Sequence, residues 1–105
     1  MEINVKDIIQ FNSLISGDKV CLVDLYATWC GPCRMLAPTI ESVANKADDK
    51  YIVAKVDVDE VEDIAIKYGV NTIPTLLYFK NSVLLEKTVG LRSEEQILNT
   101  IEKYI

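Results

Sequence analysis

Two cysteines three positions apart, Cys30 and Cys33, are the residues of this sequence best suited to chemistry. They lie in the string Trp-Cys-Gly-Pro-Cys, between an apolar run that ends at Tyr26 and a segment with the spacing of a long amphipathic helix. Cys30 therefore falls at or beside the helix N-cap, where free backbone N–H groups and the helix dipole favour negative charge. Since a thiolate is the nucleophile in disulfide exchange, this position predicts a reactive, exposed Cys30 and a more enclosed Cys33 that can close a disulfide with it.

Other uses of a close cysteine pair fit this chain less well. A zinc site usually has four ligands, whereas the chain has no histidine and only one further cysteine, Cys21. A permanent structural disulfide across so short a loop would stabilise the fold little. Two inert core thiols are a third alternative, although a strand-to-helix junction favours chemistry over burial. Cys21 itself lies inside an apolar run, and we interpret it as a core residue.

The composition is that of a small intracellular domain. A length of 105 residues predicts a single domain, 1–105, and the net charge of −5 argues against nucleic acid as a partner. The first residues have no sustained apolar run, and no stretch is long and apolar enough to cross a bilayer. An odd number of cysteines is unlike a secreted disulfide scaffold, so we expect a cytoplasmic protein without membrane contact.

Strand and helix periodicities alternate along the chain, which predicts an α/β domain. Apolar runs bounded by turn residues predict strands over 20–26, 51–58, 75–79 and 83–89, the last two joined by a tight turn at 81–82. Helical spacing predicts four helices: over 6–16, from the cysteines to Ala47, over 61–68, and from Ser93 to Ile105. The second should be kinked at Pro38, and a capping box at Ser93 should begin the fourth. The predicted architecture is a central mixed β-sheet flanked by helices on both faces.

Asp24 is unusual because it interrupts the strand that leads to the cysteines. A carboxylate in a buried strand is costly unless it is paired or protonated. Burial is therefore expected to raise the pKa of Asp24 above its value in the unfolded chain. Desolvated carboxyl groups near reactive groups are often catalytic, although a purely structural ion pair is the alternative.

The chain resembles the thioredoxin family over essentially its whole length. Matching segments occur in the family's order at 23–27, 29–33, 37–38, 55–57, 73–75 and 89–90. Glutaredoxins typically have Pro-Tyr between the cysteines and oxidising isomerases have Gly-His, so Gly31 and Pro32 favour a reductase. The resemblance implies a thioredoxin fold and a general protein-disulfide reductase that acts in electron transport and cell redox homeostasis. It also implies that the protein reduces disulfide-containing proteins and is recharged by thioredoxin reductase. We expect a monomer by default, with no cofactor and no metal.

The resemblance also implies a role for each residue of the reaction centre. Cys30 would be the attacking thiolate and Cys33 the resolving thiol. Asp24 would assist proton transfer at Cys33, with Lys55 as its neighbour. An Asp24–Lys55 ion pair without catalytic duty is the alternative.

A docking surface around the cysteines is implied by the same resemblance. Pro74 would follow a cis bond and lie against the dithiol, and the Ile73 backbone would pair with an extended substrate segment. Trp29, Gly31, Pro32 and Gly90, with Val89 and Leu91, would frame this surface. The sequence departs from the commonest pattern at Tyr26, at 71–72 and at Ser82.

A binding, assembly or chaperone subunit with an incidental dithiol is the alternative function.

Overall fold

The computed structural model describes residues 1–105 and contains one five-stranded mixed sheet. The strands are β1 (Glu2–Asn4), β2 (Val20–Tyr26), β3 (Tyr51–Asp57), β4 (Thr75–Lys80) and β5 (Val83–Val89). The helices are α1 (Ile8–Ile15), α2 (Gly31–Asn45), α3 (Glu62–Lys67) and α4 (Glu94–Glu102). The strand order is β1-β3-β2-β4-β5, with β1, β3 and β2 parallel and the β4–β5 hairpin antiparallel. The predicted mixed sheet is confirmed.

Strand β2 lies at the centre of the sheet and is buried on both faces. Because successive side chains alternate between faces, Leu22 packs with residues of α2 and α4, whereas Cys21 and Val23 pack with Phe11 of α1 and Ile64 of α3. Helices therefore cover both faces, as predicted. This arrangement explains the nearly unbroken apolar character of β2 and fixes its end beneath the start of α2.

The differences from the predicted elements lie mainly near the ends of the chain. Strand β1 was not predicted, since it has only three residues and two of them are polar. Ala47 lies beyond the end of α2, although it is buried, and Ile105 lies beyond α4 and is 62% exposed. Helix α2 runs through Pro38 as one helix.

The predicted turn at 81–82 and the predicted capping box at Ser93 are both present in the structure. Asn81 and Ser82 join β4 to β5 with φ angles of 53° and 65°, as a two-residue hairpin of type I′ requires. Ser82 thus occupies the left-handed region that glycine tolerates best. The predicted capping box is present, with Ser93 and Gln96 each bonding the other's backbone N–H.

Candidate redox-active site

The two cysteines lie where β2 leads into α2. Cys30 is the N-cap of α2, with extended backbone angles (φ −85°, ψ 116°), and its Sγ accepts a hydrogen bond from the Cys33 N–H at 3.2 Å. Pro32 lies in the first helical turn, where its missing N–H removes no helical hydrogen bond. Cys30 and Cys33 form a disulfide, with their Cα atoms 5.2 Å apart. When the pair is reduced, the same N–H is placed to stabilise a thiolate at Cys30.

Burial does not distinguish the two cysteines, and the prediction of an exposed Cys30 beside an enclosed Cys33 is wrong. Their exposed fractions are 5% and 4%. The pair packs with Ala27, and Val58 and Ile73 from other loops cover it further. The asymmetry of the site therefore lies in hydrogen bonding, because the Cys30 sulfur is the one that receives a backbone N–H.

The loop before β4 and the residue after β5 lie next to the disulfide. The Ile73–Pro74 bond is cis, and the Ile73 carbonyl oxygen lies 3.9 Å from Cys30 Sγ. The Gly90 N–H donates to the Pro74 carbonyl at 2.9 Å, and Gly90 has a φ of +91° that favours glycine. Pro74 is buried, whereas Ile73, Gly31 and Gly90 are half-buried. The structure thus places Ile73 beside Cys30 and joins Gly90 to the adjoining Pro74.

Trp29 projects from the surface beside the disulfide and is held by a residue that the sequence analysis missed. Its side chain is 67% exposed, and its indole Nε1 donates to Asp59 Oδ2 at 2.7 Å. Asp59 lies in an acidic segment after β3 that resembles an ordinary solvated turn, so the sequence contained no signal for this contact. Exposed apolar surface near the site also comes from Pro32, Val89 and Leu91.

Asp24 is buried in β2, on the sheet face covered by α2. It is 2% exposed, lies opposite Lys55 of β3 and Leu76 of β4, and shares its face with Leu22. Burial raises the pKa of Asp24 from 3.8 to about 7, Lys55 opposes that rise, and Glu2 adds to it. Its Oδ1 has no hydrogen-bond partner. The direction of the pKa shift agrees with the sequence-based expectation.

Lys55 is close to Asp24 in register, but its ammonium group contacts other residues. Lys55 Nζ lies 4.0 Å from Glu2 Oε2 and 4.5 Å from the centroid of the Tyr26 ring. No salt bridge joins Lys55 to Asp24. A cleft of about 290 Å³ is lined by Lys55, Tyr26 and Cys33, among others, and connects the lysine with the second cysteine. The structure therefore does not support the Asp24–Lys55 ion pair in the form of a direct contact.

Comparison with known proteins places the chain in a family. The sequence profile of the Thioredoxin family matches residues 2–103. The thioredoxin of Bacillus subtilis is 40% identical over 101 residues, which cover 96% of this chain and 97% of that protein. The chain belongs to the thioredoxin family. Thioredoxin-T of Drosophila melanogaster is 38% identical over 99 residues, and the match spans 94% of this chain but only 62% of the fly protein.

Solved structures agree with this assignment. A mutant thioredoxin from Halobacterium salinarum superimposes with a TM-score of 0.91 at 39% identity, covering 98% of this chain and 89% of that one. The family relationship and the Cys30–Cys33 pair support a protein-disulfide oxidoreductase and do not favour a binding subunit with an incidental dithiol. None of the four helices of this chain is long and apolar enough to span a membrane.

Proposed function

We propose that this protein reduces disulfides of other proteins, with Cys30 as the attacking thiolate and Cys33 as the resolving thiol. The proposal depends chiefly on one observation: Cys30 Sγ is the N-cap acceptor of α2 and receives the Cys33 N–H. Such a donor lowers the pKa of a thiol because it stabilises the charged form.

The reaction consists of two exchanges. The Cys30 thiolate attacks one sulfur of the substrate disulfide, which forms a mixed disulfide and releases the other substrate sulfur as a thiolate. Cys33 then loses its proton and attacks Cys30 Sγ, which closes the Cys30–Cys33 disulfide and releases the second substrate thiolate. Two electrons pass from the dithiol to the substrate, which takes up protons at its two sulfurs. A second dithiol donor must then reduce Cys30–Cys33 again.

Asp24 is the proposed proton acceptor for Cys33. It lies on the sheet face beneath α2, and a carboxyl with a pKa of about 7 is suited to exchange a proton near neutral pH with a thiol of ordinary pKa, about 8.5. Burial excludes bulk water, which makes a fixed acid–base group more valuable there. Lys55 supports this role by opposing the full rise of the Asp24 pKa.

Substrate docking is proposed on the surface beside Cys30. An extended substrate segment would pair with the backbone of Ile73, whose carbonyl lies next to the Cys30 sulfur. The exposed side chains of Trp29 and Pro32, with the backbone of Gly31 and Gly90, would contact the flanking substrate residues. This surface is largely apolar, which suits many unrelated protein substrates.

The cellular setting is part of the same proposal. We infer that residues 1–105 act as one monomeric domain in the cytoplasm and transfer electrons from thioredoxin reductase to target proteins. The reducing environment of that compartment suits a dithiol that must return to its reduced state. Dithiol exchange itself needs no cofactor beyond the two cysteines.

Trapping of the mixed disulfide tests the assignment of the two cysteines. Cys33→Ser should accumulate a covalent complex with a disulfide-containing protein, and dithiothreitol should release it, because attack proceeds and resolution fails. The matched variant Cys30→Ser should form none. If Cys30→Ser forms the complex and Cys33→Ser does not, the roles are reversed; if neither forms it, the proposed mechanism is wrong.

A further inference from the structure

Three charged side chains lie in a row on the sheet face beneath α2. In the parallel pairing, Asp24 of β2 lies opposite Lys55 of β3, and Glu2 of β1 lies opposite Val53 of β3. Val53 and Lys55 are two residues apart in β3 and so point to the same face. Glu2, Lys55 and Asp24 therefore follow one another across three neighbouring strands, with the cation in the middle.

The Lys55 ammonium contacts Glu2 of β1 and Tyr26 of β2 and not Asp24. It lies 4.0 Å from Glu2 Oε2 and 4.5 Å from the centre of the Tyr26 ring, and it forms no salt bridge with Asp24. The Lys55 and Glu2 side chains are only 17% and 21% exposed, so water screens their attraction less than at an open surface. Glu2 Oε2 is buried and accepts no hydrogen bond, which leaves the Lys55 ammonium as its nearest compensating charge.

This arrangement identifies a residue that acts on the reaction from outside the dithiol. Building on the function proposed above, we propose that Glu2 is a positioning residue for proton transfer: it holds the Lys55 ammonium away from the Asp24 carboxyl. Asp24 then shares the cation with a competing carboxylate instead of forming a tight ion pair. A tightly paired Asp24 would stay ionised and could not hold a proton near neutral pH.

The charges around Asp24 determine the direction of the effect. The groups that face it are Lys55 from β3, Glu2 from β1, Tyr26 from β2 and the dithiol of α2, while β4 contributes the uncharged Leu76. Lys55 lowers the pKa of Asp24 and Glu2 raises it. Removing the charge of Glu2 should therefore favour the Asp24 carboxylate in two ways: a repulsive charge is lost, and Lys55 is free to move toward Asp24.

The test is Glu2→Gln, with the titration of the Asp24 carboxyl carbon in the reduced protein followed by NMR. The pKa of Asp24 should fall by about 1 pH unit, the lower end of the effect of a nearby charge. The pH profile of single-turnover disulfide reduction should move downward by the same amount. Glu102→Gln, at the exposed end of α4, makes the same change in net charge and should leave both measurements unchanged. A folded Glu2→Gln protein with an unchanged Asp24 pKa would overturn the proposal.

A second background separates positioning of Lys55 from direct repulsion between the two carboxylates. In Lys55→Met, only the direct effect of Glu2 on Asp24 remains, so Glu2→Gln should lower the Asp24 pKa markedly less than it does in the wild-type background. Equal falls in the two backgrounds would contradict a role through Lys55. The NMR titration tests the role of Glu2 independently of turnover. If the proposed catalytic role of Asp24 is wrong, Asp24→Asn will reduce substrates at the wild-type rate, whatever the titration shows.

Discussion

The chain contains two kinds of buried sulfur, one within β2 and one just beyond its end. Cys21 is fully buried, and Cys30 and Cys33 are 5% and 4% exposed, so burial is nearly equal. Around Cys21 lie apolar side chains, and burial raises the pKa of its thiol to about 12. Cys30 instead lies where the sheet ladder has ended and the helix has begun, and its sulfur receives a free backbone N–H. Access to unpaired backbone donors, more than exposure, therefore distinguishes a reactive thiol from an inert one in this chain.

The largest expected effect on turnover is the loss of the Cys30 sulfur, compared with the loss of the Cys21 sulfur. Cys30→Ser should abolish reduction of a disulfide-containing protein, because a serine hydroxyl cannot form the mixed disulfide. Cys21→Ala should keep the turnover of the wild type, since its thiol contacts only core side chains. Turnover of the two variants, measured side by side, checks this contrast. Loss of activity in a folded Cys21→Ala protein would break the distinction drawn between the two environments.

Asp24→Asn should have the next largest effect on turnover. Asp24 lies on β2, between Cys21 and Cys30 in the sequence. Its side chain lies beneath α2, on the sheet face opposite to that of Cys21. The variant should reduce substrates about 10²-fold more slowly at neutral pH, the lower end of the range for a positioned acid–base group. Single-turnover rates across pH check this, and the wild type alone should show a titration near pH 7. Equal rates at all pH values would leave Asp24 with a structural role only.

The same substitution should change stability in the opposite direction. The folded pKa of Asp24 is about 7 against 3.8 for the ordinary group, so the native state holds a proton that the unfolded chain has already released. Wild-type stability is therefore lost as pH rises from about 4 to about 7 and is constant above that. Asp24→Asn should match the wild type near pH 4 and be more stable at neutral pH, by on the order of 4 kcal/mol at about 1.4 kcal/mol per pH unit. Urea unfolding at several pH values measures the difference, and a less stable variant at pH 7 would refute the argument.

The smallest effect is expected from Cys21→Ala on stability. Deleting a buried sulfur leaves a small cavity among the side chains of the face covered by α1 and α3, which should cost about 1–2 kcal/mol. The cost should not depend on pH between 5 and 7, because the Cys21 thiol stays protonated there in the folded chain and, with an ordinary pKa of about 8.5, in the unfolded chain as well. Urea unfolding of the two proteins measures it. A pH-dependent difference within that range would mean that Cys21 titrates and is not an inert core thiol.

Most of the sheet could be predicted from sequence because local signals define it. Strand β2 was predicted with its observed bounds, and the Asn81–Ser82 turn lies between two apolar runs. The N-cap position of Cys30 followed from a strand, a short loop and an amphipathic helix in succession. These features depend on residues that are neighbours in the chain, where periodicity and turn chemistry are informative.

The features that could not be predicted depend on contacts between distant segments. Strand β1 exists because it pairs with β3, and its own three residues give no strand pattern. The contacts of Glu2 with Lys55 and of Trp29 with Asp59 join residues on different elements. Burial of Cys30 depends likewise on Ile73, which the fold brings from another loop. No local pattern in the sequence predicts such contacts between distant residues.

Alkylation of the reduced protein across pH compares the reactivity of all three thiols in one experiment. The native protein would be treated briefly with iodoacetamide between pH 5 and 10, and the modified cysteines identified by peptide mass spectrometry. Cys30 should react first, with a midpoint below the ordinary thiol pKa of about 8.5, and Cys21 should stay unmodified. Modification of Cys21 or Cys33 as fast as Cys30, or a Cys30 midpoint at or above about 8.5, would mean that the backbone N–H at the start of α2 does not make Cys30 the reactive thiol.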